Sequence, residues 1–258
     1  MPEFFEVKRI KDYLIDSGIS GDLIYDFKFK NNGNRILKNS SIDSFKTHLI
    51  NNHICFIKTK AKYTLFGFKK GSFLIHYRFT GIPHIRGVPY GDRLKTIYSL
   101  PILNLKKDYV RFSIYFSSGR ILDYYDTRCL SHLHFHKSLK NFNDYEHIKS
   151  LPNDLENFKP LTYASFKTLY KHSKLDVKTY LLDQTKEPSG IGNYLANEIC
   201  SYAKINPWLL ISSLSKIQYD NLFNSVNKIA QLSTKSSSYE WFNVFNKLNC
   251  KICNHDIL

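Results

Sequence analysis

At 258 residues and 43% apolar, the chain is long enough for one large or two modest domains with real cores. The 37 Lys+Arg against 22 Asp+Glu leave a formal charge of +15. On a globular composition that charge points to an anionic partner, nucleic acid first, although an A/T-rich coding sequence also enriches Lys, Asn, Ile, Tyr and Phe. Five cysteines (Cys55, Cys129, Cys200, Cys250 and Cys253) are too few and too scattered for a disulfide framework, no apolar run reaches membrane-spanning length, and the start lacks a signal peptide. An intracellular, reducing compartment is expected.

The chain opens Met1-Pro2-Glu3-Phe4-Phe5-Glu6-Val7. Removal of methionine before this small residue makes the secondary amine of Pro2 the α-amino group. Such an amine titrates near 8, so roughly a tenth is neutral and nucleophilic at pH 7. Val7, Ile10, Tyr13 and Leu14 recur at three- and four-residue spacing and predict a helix ending at Ser17-Gly18. Pro2 suits the first turn of that helix, and the positive end of the helix dipole disfavours an ammonium there. Glu3 adds a carboxylate beside the amine, which together are equipped for Schiff-base chemistry. The same two residues also read as a helix starter and a dipole-matching charge.

Residues 20 to 130 read mainly as strand. Leu23–Phe29 is rich in β-formers and is followed by an Asn/Gly turn at Asn31–Asn34. A short helix over Ser44–Ile50 precedes a strand at His53–Lys58. Tyr63–Phe68 and Phe73–Phe79 form a hairpin, and Val110–Phe116 turns through Ser117–Arg120 into Ile121–Tyr125. Several short strands at this spacing predict an antiparallel sandwich. From about residue 150 helices follow at Thr162–His172, Asp176–Gln184, Asn193–Ala203 and Ser215–Leu232, the last opened by a Ser215-x-x-Gln218 capping box.

Between the second and third of these helices runs Pro188-Ser189-Gly190-Ile191-Gly192-Asn193-Tyr194-Leu195-Ala196-Asn197-Glu198. A glycine turn feeding a helix N-terminus presents backbone N–H groups to an anion, usually a phosphate. The string resembles the helix-two-turn-helix of the Fpg/Nei (formamidopyrimidine-DNA glycosylase / endonuclease VIII) family, and other matches follow in order along the chain. Met1-Pro2-Glu3 with Glu6 matches that family's start, with Phe5 departing from it. Thr59-Lys60-Ala61-Lys62-Tyr63 fits its catalytic-lysine strand, although Thr59 replaces an arginine. His76-Tyr77-Arg78-Phe79-Thr80-Gly81 lies where the family has its void-filling loop, and Asp126-Thr127-Arg128-Cys129-Leu130 where it has a segment facing the orphaned base. Cys250-x-x-Cys253 stands at the first knuckle of its zinc finger.

The resemblance implies an α+β fold: an N-terminal helix and antiparallel β-sandwich over 1–130, a linker over 131–152, a helix-two-turn-helix domain over 153–235, and the start of a finger, incomplete in this chain, over 236–258. It implies a monomeric bifunctional DNA glycosylase and AP lyase with no membrane association. Damaged DNA, duplex or single-stranded, is its partner, bound in a cleft between the two domains. Pro2, Glu3 and Lys62 are the implied catalytic residues. Lys178, Asn193, Gly190 and Gly192 hold phosphates, Arg78, Phe79 and Arg128 fill the gap left by the flipped nucleotide, and Glu6 and Glu198 support the site.

No cofactor is expected, because Cys250 and Cys253 are half of a zinc-ligand set and a closed site needs four ligands. His132-x-His134-x-His136 alternates as on one face of a strand, without an acidic or Cys ligand nearby in sequence. In the Fpg branch a long glycine-rich loop follows the helix matching Ser215–Leu232 and closes over 8-oxoguanine. Only the six residues Ser233–Ser238 stand there in this chain, which implies a Nei-like preference for oxidised pyrimidines and hydantoins. The alternative is a non-catalytic nucleic-acid-binding protein that keeps the fold.

Overall fold

A computed structural model describes residues 2–90, 106–137, 141–236 and 239–256. The chain divides into two compact units, Met1–Lys149 and Ser150–Leu258.

The first unit holds two four-stranded antiparallel sheets. One is ordered β1-β6-β7-β5, from β1 (Ile24–Phe29), β5 (Ile82–Ile85), β6 (Val110–Phe116) and β7 (Ile121–Tyr125). The other is ordered β2-β3-β4-β8, from β2 (Ile54–Lys60), β3 (Tyr63–Phe68), β4 (Ser72–His76) and β8 (His132–His136). Their inner faces meet in an aromatic core: Phe66 stacks on Phe73 in one sheet, Phe112 on Tyr124 in the other, with ring centroids 4.4 and 4.8 Å apart. All four rings are at most 2% exposed. Rings of this size dominate core energetics, and their offset geometries add to the burial term. Helix α2 (Ile42–Leu49) closes one end of the sandwich by setting Phe45 against Phe27, Phe73 and Phe135.

Helix α1 (Phe4–Asp16) carries the predicted apolar stripe, with Val7, Ile10 and Leu14 fully buried, and packs on β2 and β3. It stops at Ser17, followed by Gly18 at φ +73°, a left-handed position that glycine adopts without cost. Tyr13 on this helix accepts from the Ile85 N–H (3.0 Å) and donates to the Val88 carbonyl (3.2 Å), tying α1 to the segment after β5.

Three features of this unit differ from the expectation. Strand β5 carried no clear signal: its Ile-Pro-His-Ile sequence holds a proline, which a sheet tolerates at an edge, where β5 lies. Strand β4 ends at His76 rather than Phe79, because Arg78 adopts φ +52° and turns the chain out of the sheet. Strand β8 lies within the stretch read as linker. Its odd positions Leu133 and Phe135 are buried, so it pairs with β4 and completes the sheet. A short helix, α3 (Glu146–Lys149), follows.

The second unit contains α4 (Tyr163–Tyr170), α5 (Val177–Leu182), α6 (Asn193–Ala203) and α7 (Lys216–Lys235). Thr162, Asp176 and Ser215 cap three of them by accepting backbone N–H groups three residues on, and Gln218 completes the predicted capping box. Phe166, Tyr170, Tyr180, Tyr219 and Phe223 form the aromatic centre. Helix α7 runs three residues beyond Leu232, so Ser233, Thr234 and Lys235 are helical and Ser236 is the cap. Ser237 and Ser238 lie outside the described residues. Among the described residues no helix is long and apolar enough to cross a membrane.

Among the described glycines of the first unit the closest approach is at Gly33, where a Cβ would lie 1.7 Å from the Arg111 carbonyl oxygen. Neither partner is a flexible side-chain end, so one backbone has to move. We expect Gly33→Ala to lower the stability of the first unit by about 2 kcal/mol or more, measured by urea denaturation.

Candidate active site

Lys62 is positioned by the β2–β3 connection. Lys60 pairs with Tyr63, leaving Ala61-Lys62 as a two-residue turn, with Ala61 at φ +50°. The segment that resembles a catalytic-lysine strand is thus interrupted at Lys62 by a turn, and the strand lysines are Lys58 and Lys60. Lys58 and Lys60 lie on β2, whereas Lys62 is only 6% exposed. Burial holds its ammonium below the ordinary lysine value, and the carboxylates of Glu3 and Glu6 pull in the opposite direction. Glu3 and Glu6 are 2% and 3% exposed, so three ionisable groups are packed together out of water.

The two carboxylates arrive there through the start of α1. Glu3 is the N-cap and Phe4 the first helical residue, so the buried Pro2 stands one position before the cap rather than within the first turn. Glu6 Oε2 accepts the Glu3 backbone N–H at 2.7 Å, which fixes the entry of the chain into the helix. Glu3, Glu6 and Lys62 are thereby brought together, with Pro2 next in sequence to Glu3, by a helix N-terminus and a hairpin turn about sixty residues apart.

His76 adjoins this cluster, and reading the sequence gave it no role of its own. It is 8% exposed and its ring lies 4.7 Å from that of Tyr63. The Arg78 backbone N–H donates to His76 Nδ1 at 3.1 Å, so Nδ1 is an acceptor and the proton sits on Nε2. Burial pushes its pKa down to about 3, helped by the positive charges of Arg78 and Lys62 and by His132 and His134. His76 is thus a neutral hydrogen-bond donor at pH 7. Arg78 Nη2 in turn faces His132 Nδ1 at 3.2 Å.

The next two loops are fastened together by one buried carboxylate. Asp126, fully buried, accepts the Thr80 hydroxyl and the Arg128 N–H on Oδ1, and the Ser131 N–H (2.8 Å) and hydroxyl (2.7 Å) on Oδ2. Gly81 lets the loops close: a Cβ there would lie 2.0 Å from the Tyr124 hydroxyl. The result presents Phe79, half exposed, with the Arg128 guanidinium 5.1 Å over its ring. Phe79 is a projecting ring and not a core residue.

In the second unit, Gln184 organises the turn between α5 and α6. Its amide donates to the Leu182 and Ile191 carbonyls and accepts the Gly190 N–H at 3.0 Å. Gly190 sits at φ +96°, Gly192 is the N-cap of α6, and Asn193 is exposed as its first residue. Lys178, on the first turn of α5, is half-buried. Glu198 is no surface charge: it is fully buried and accepts the backbone N–H groups of Asn243, Val244 and Phe245 at 2.6–2.9 Å. It anchors the segment that leads to the cysteines.

Cys250 and Cys253 are free thiols in a tight turn, and the Cys253 and Ile252 N–H groups hold the Cys250 thiol below its ordinary value. His255 turns Nδ1 towards the Cys253 carbonyl (3.1 Å). Among the described residues no group of three or more His, Cys, Asp or Glu is arranged to hold a metal ion. The donor set does not fit a closed zinc site, and no step below runs through one.

Because the folded state depresses the His76 pKa, its contribution to stability is complete above about pH 6.5 and is lost as pH falls from there towards about 3. The slope from this one residue is about 1.4 kcal/mol per pH unit. We expect His76→Gln to flatten the acid side of the stability–pH curve by that amount, read from urea midpoints between pH 6.5 and 4.

Comparison with known proteins agrees along the whole chain. Residues 1–133 match the formamidopyrimidine-DNA glycosylase N-terminal domain, and residues 153–240 match the formamidopyrimidine-DNA glycosylase H2TH domain. The formamidopyrimidine-DNA glycosylase of Ureaplasma parvum is 32% identical over 242 residues, covering 92% of this chain and 79% of its own length. That of Mycoplasma genitalium is 27% identical over 89% of this chain and 74% of its own length. Among solved structures, the Lactococcus lactis enzyme in complex with abasic-site DNA superposes with a TM-score of 0.80 at 20% identity, over 99% of this chain and 92% of that one. With the motifs in order and both domains matched, the chain belongs to the formamidopyrimidine-DNA glycosylase family of DNA-repair enzymes.

Proposed function

We propose that the protein is a bifunctional DNA glycosylase and AP lyase acting through the amine of Pro2. The observation that carries this reading is the burial of Glu3, Glu6 and Lys62 together beside residue 2. Desolvating three charges costs several kcal/mol per ion unless they are paired, and a protein that only binds nucleic acid gains nothing from that expense.

In the proposed reaction the damaged nucleotide leaves the stack, at a cost that is smallest for a damaged base. Arg78, Phe79 and Arg128 occupy the space it vacates. The neutral Pro2 amine attacks C1′ and the C1′–base bond breaks with its electron pair on the base; Glu3 takes the proton that the attached amine sheds and passes it to the ring oxygen, and the C1′–O4′ bond opens with its electron pair on O4′. The iminium that forms acidifies a C2′ proton. Loss of that proton expels the 3′ phosphate, and a second elimination expels the 5′ phosphate. Lys62, partly desolvated and next to Glu3, orients the carboxylate and balances its charge. His76, with its proton on Nε2, and Lys178 and Asn193 in the second unit supply phosphate contacts, which position the strand without reading sequence.

Borohydride reduction of the iminium on an abasic-site oligonucleotide tests the mechanism directly. We expect the mature protein to trap, and Pro2→Thr or an uncleaved N-terminal extension to abolish trapping. Undiminished trapping by an extended protein would move the nucleophile elsewhere, with Lys62 the first suspect.

Lesion choice follows from the connection after α7. Since that helix runs to Lys235, the stretch before Tyr239 is shorter than the six residues counted from the sequence and too short to form a lid over a purine. The Lactococcus lactis protein has been crystallised with Fapy-dG DNA and with oxidised-pyrimidine DNA, so the two lesion classes are both within reach of this fold. Without a lid, non-planar bases that stack poorly and flip cheaply are favoured. We expect single-turnover excision of thymine glycol to be faster than that of 8-oxoguanine opposite cytosine; the reverse order would overturn the loop argument and leave the catalytic residues untouched.

A further inference from the structure

Trp208 is 69% exposed, the most exposed aromatic side chain among the described residues. An indole left in water forfeits a large burial term. Its position is rigid. The Asn206 side chain accepts the Trp208 N–H (2.9 Å), and the Leu209 N–H returns to the Asn206 carbonyl (3.0 Å). On either side the segment is stitched to the start of α5: Lys178 N–H to Pro207 O (3.0 Å), Val177 N–H to Leu209 O (2.9 Å) and Ile211 N–H to Leu175 O (2.9 Å). The ring is therefore held out by its backbone.

What it is held beside decides its partner. Lys178 Nζ stands 5.8 Å over the Trp208 ring, and Lys178 forms no ion pair among the described residues. A flat apolar face next to an ammonium that forms no ion pair among the described residues matches a ligand whose own anion and flat ring are neighbours. A nucleotide is such a ligand, with its phosphate on Lys178 and its base on the indole. In a duplex the base faces are covered by their neighbours in the stack and only edges are offered. The indole face is matched only by a base that has lost its partner.

We propose that Trp208 and Lys178 form a site for an unpaired nucleotide, so that the second unit grips single-stranded or gapped DNA more tightly than intact duplex. This rests on the DNA-glycosylase reading above and adds to it a preference for unpaired strand that the reaction itself does not require. Stacking of a base on an aromatic side chain is tolerant of base identity and worth about 1–3 kcal/mol by alanine substitution.

The test is fluorescence anisotropy of the full chain with a labelled, undamaged oligothymidylate and with a blunt duplex of the same length, at matched salt. We expect Trp208→Ala to weaken binding to the single strand by roughly 5- to 100-fold and to the duplex by less than about twofold, with Trp208→Phe retaining most of the single-strand affinity. Lys178→Ala is expected to weaken both, as loss of a phosphate contact does. Because Trp208 is exposed, an unchanged melting curve will separate lost binding from lost folding. Equal losses on the two substrates, or none, would overturn the site while leaving the glycosylase reading intact. Failure of the unmutated protein to bind either DNA would instead sink the reading on which it rests.

Discussion

The first unit depends on keeping Lys62 out of water between two carboxylates. An isolated buried ammonium loses most of its hydration, and burial alone would drive it to deprotonate. Glu3 and Glu6 oppose that shift, and they can do so only because α1 enters the fold at Glu3, where the Glu6 side chain closes on the Glu3 N–H. The apolar stripe Val7, Ile10 and Leu14 seats the helix against β2 and β3, so core packing and site electrostatics are set by the same helix and its N-cap. Removing one member of such a cluster leaves a buried charge without compensation, and that couples the chemistry of the N-terminus to the stability of the sandwich.

Two more buried carboxylates solve a related problem by a different route. Among the described residues neither the Asp126 nor the Glu198 carboxylate forms an ion pair; hydrogen-bond donors take that place, N–H groups and hydroxyls for Asp126 and three successive backbone N–H groups for Glu198. Charge-assisted bonds of this kind are short and strong, and they orient backbone that carries no regular structure. Asp126 joins the loop bearing Phe79 to the loop bearing Arg128, and Glu198 fastens the segment after α7 to α6. In both places a residue with no direct part in the chemistry determines where the exposed groups point.

The second unit uses its polar loops in the same economical way. Gln184 satisfies two carbonyls and one N–H within the α5–α6 turn, leaving Asn193 exposed at the helix start. The backbone pairing of residues 206–211 with the start of α5 sets Trp208 next to Lys178 on that unit's surface. Basic charge supplies sequence-independent, salt-sensitive attraction for DNA, while an exposed ring discriminates by stacking.

The sequence by itself determined whatever depends on short-range pattern. The stripe of α1, the hairpin strands Tyr63–Phe68 and Ile121–Tyr125, the bounds of α6 and the Ser215 capping box were all legible, because period and cap chemistry act within a few residues. So was the family, because Pro2-Glu3, the Ala61-Lys62-Tyr63 segment and the Gly190–Glu198 string are local words in a fixed order. The tertiary structure decided what depends on distance through space. Lys62 is marked in the sequence by its motif alone, and only the hairpin turn buries it beside Glu3 and Glu6. His76 has no role legible in the sequence until burial and the Arg78 N–H fix it as a neutral donor. Glu198 gains its partners only where residues 243–245 close over it, and Trp208 acquires a meaning only beside Lys178, thirty residues earlier. Strand β5 stayed hidden for the same reason: four residues with a central proline carry too little periodicity, and only an edge position in a sheet made them a strand.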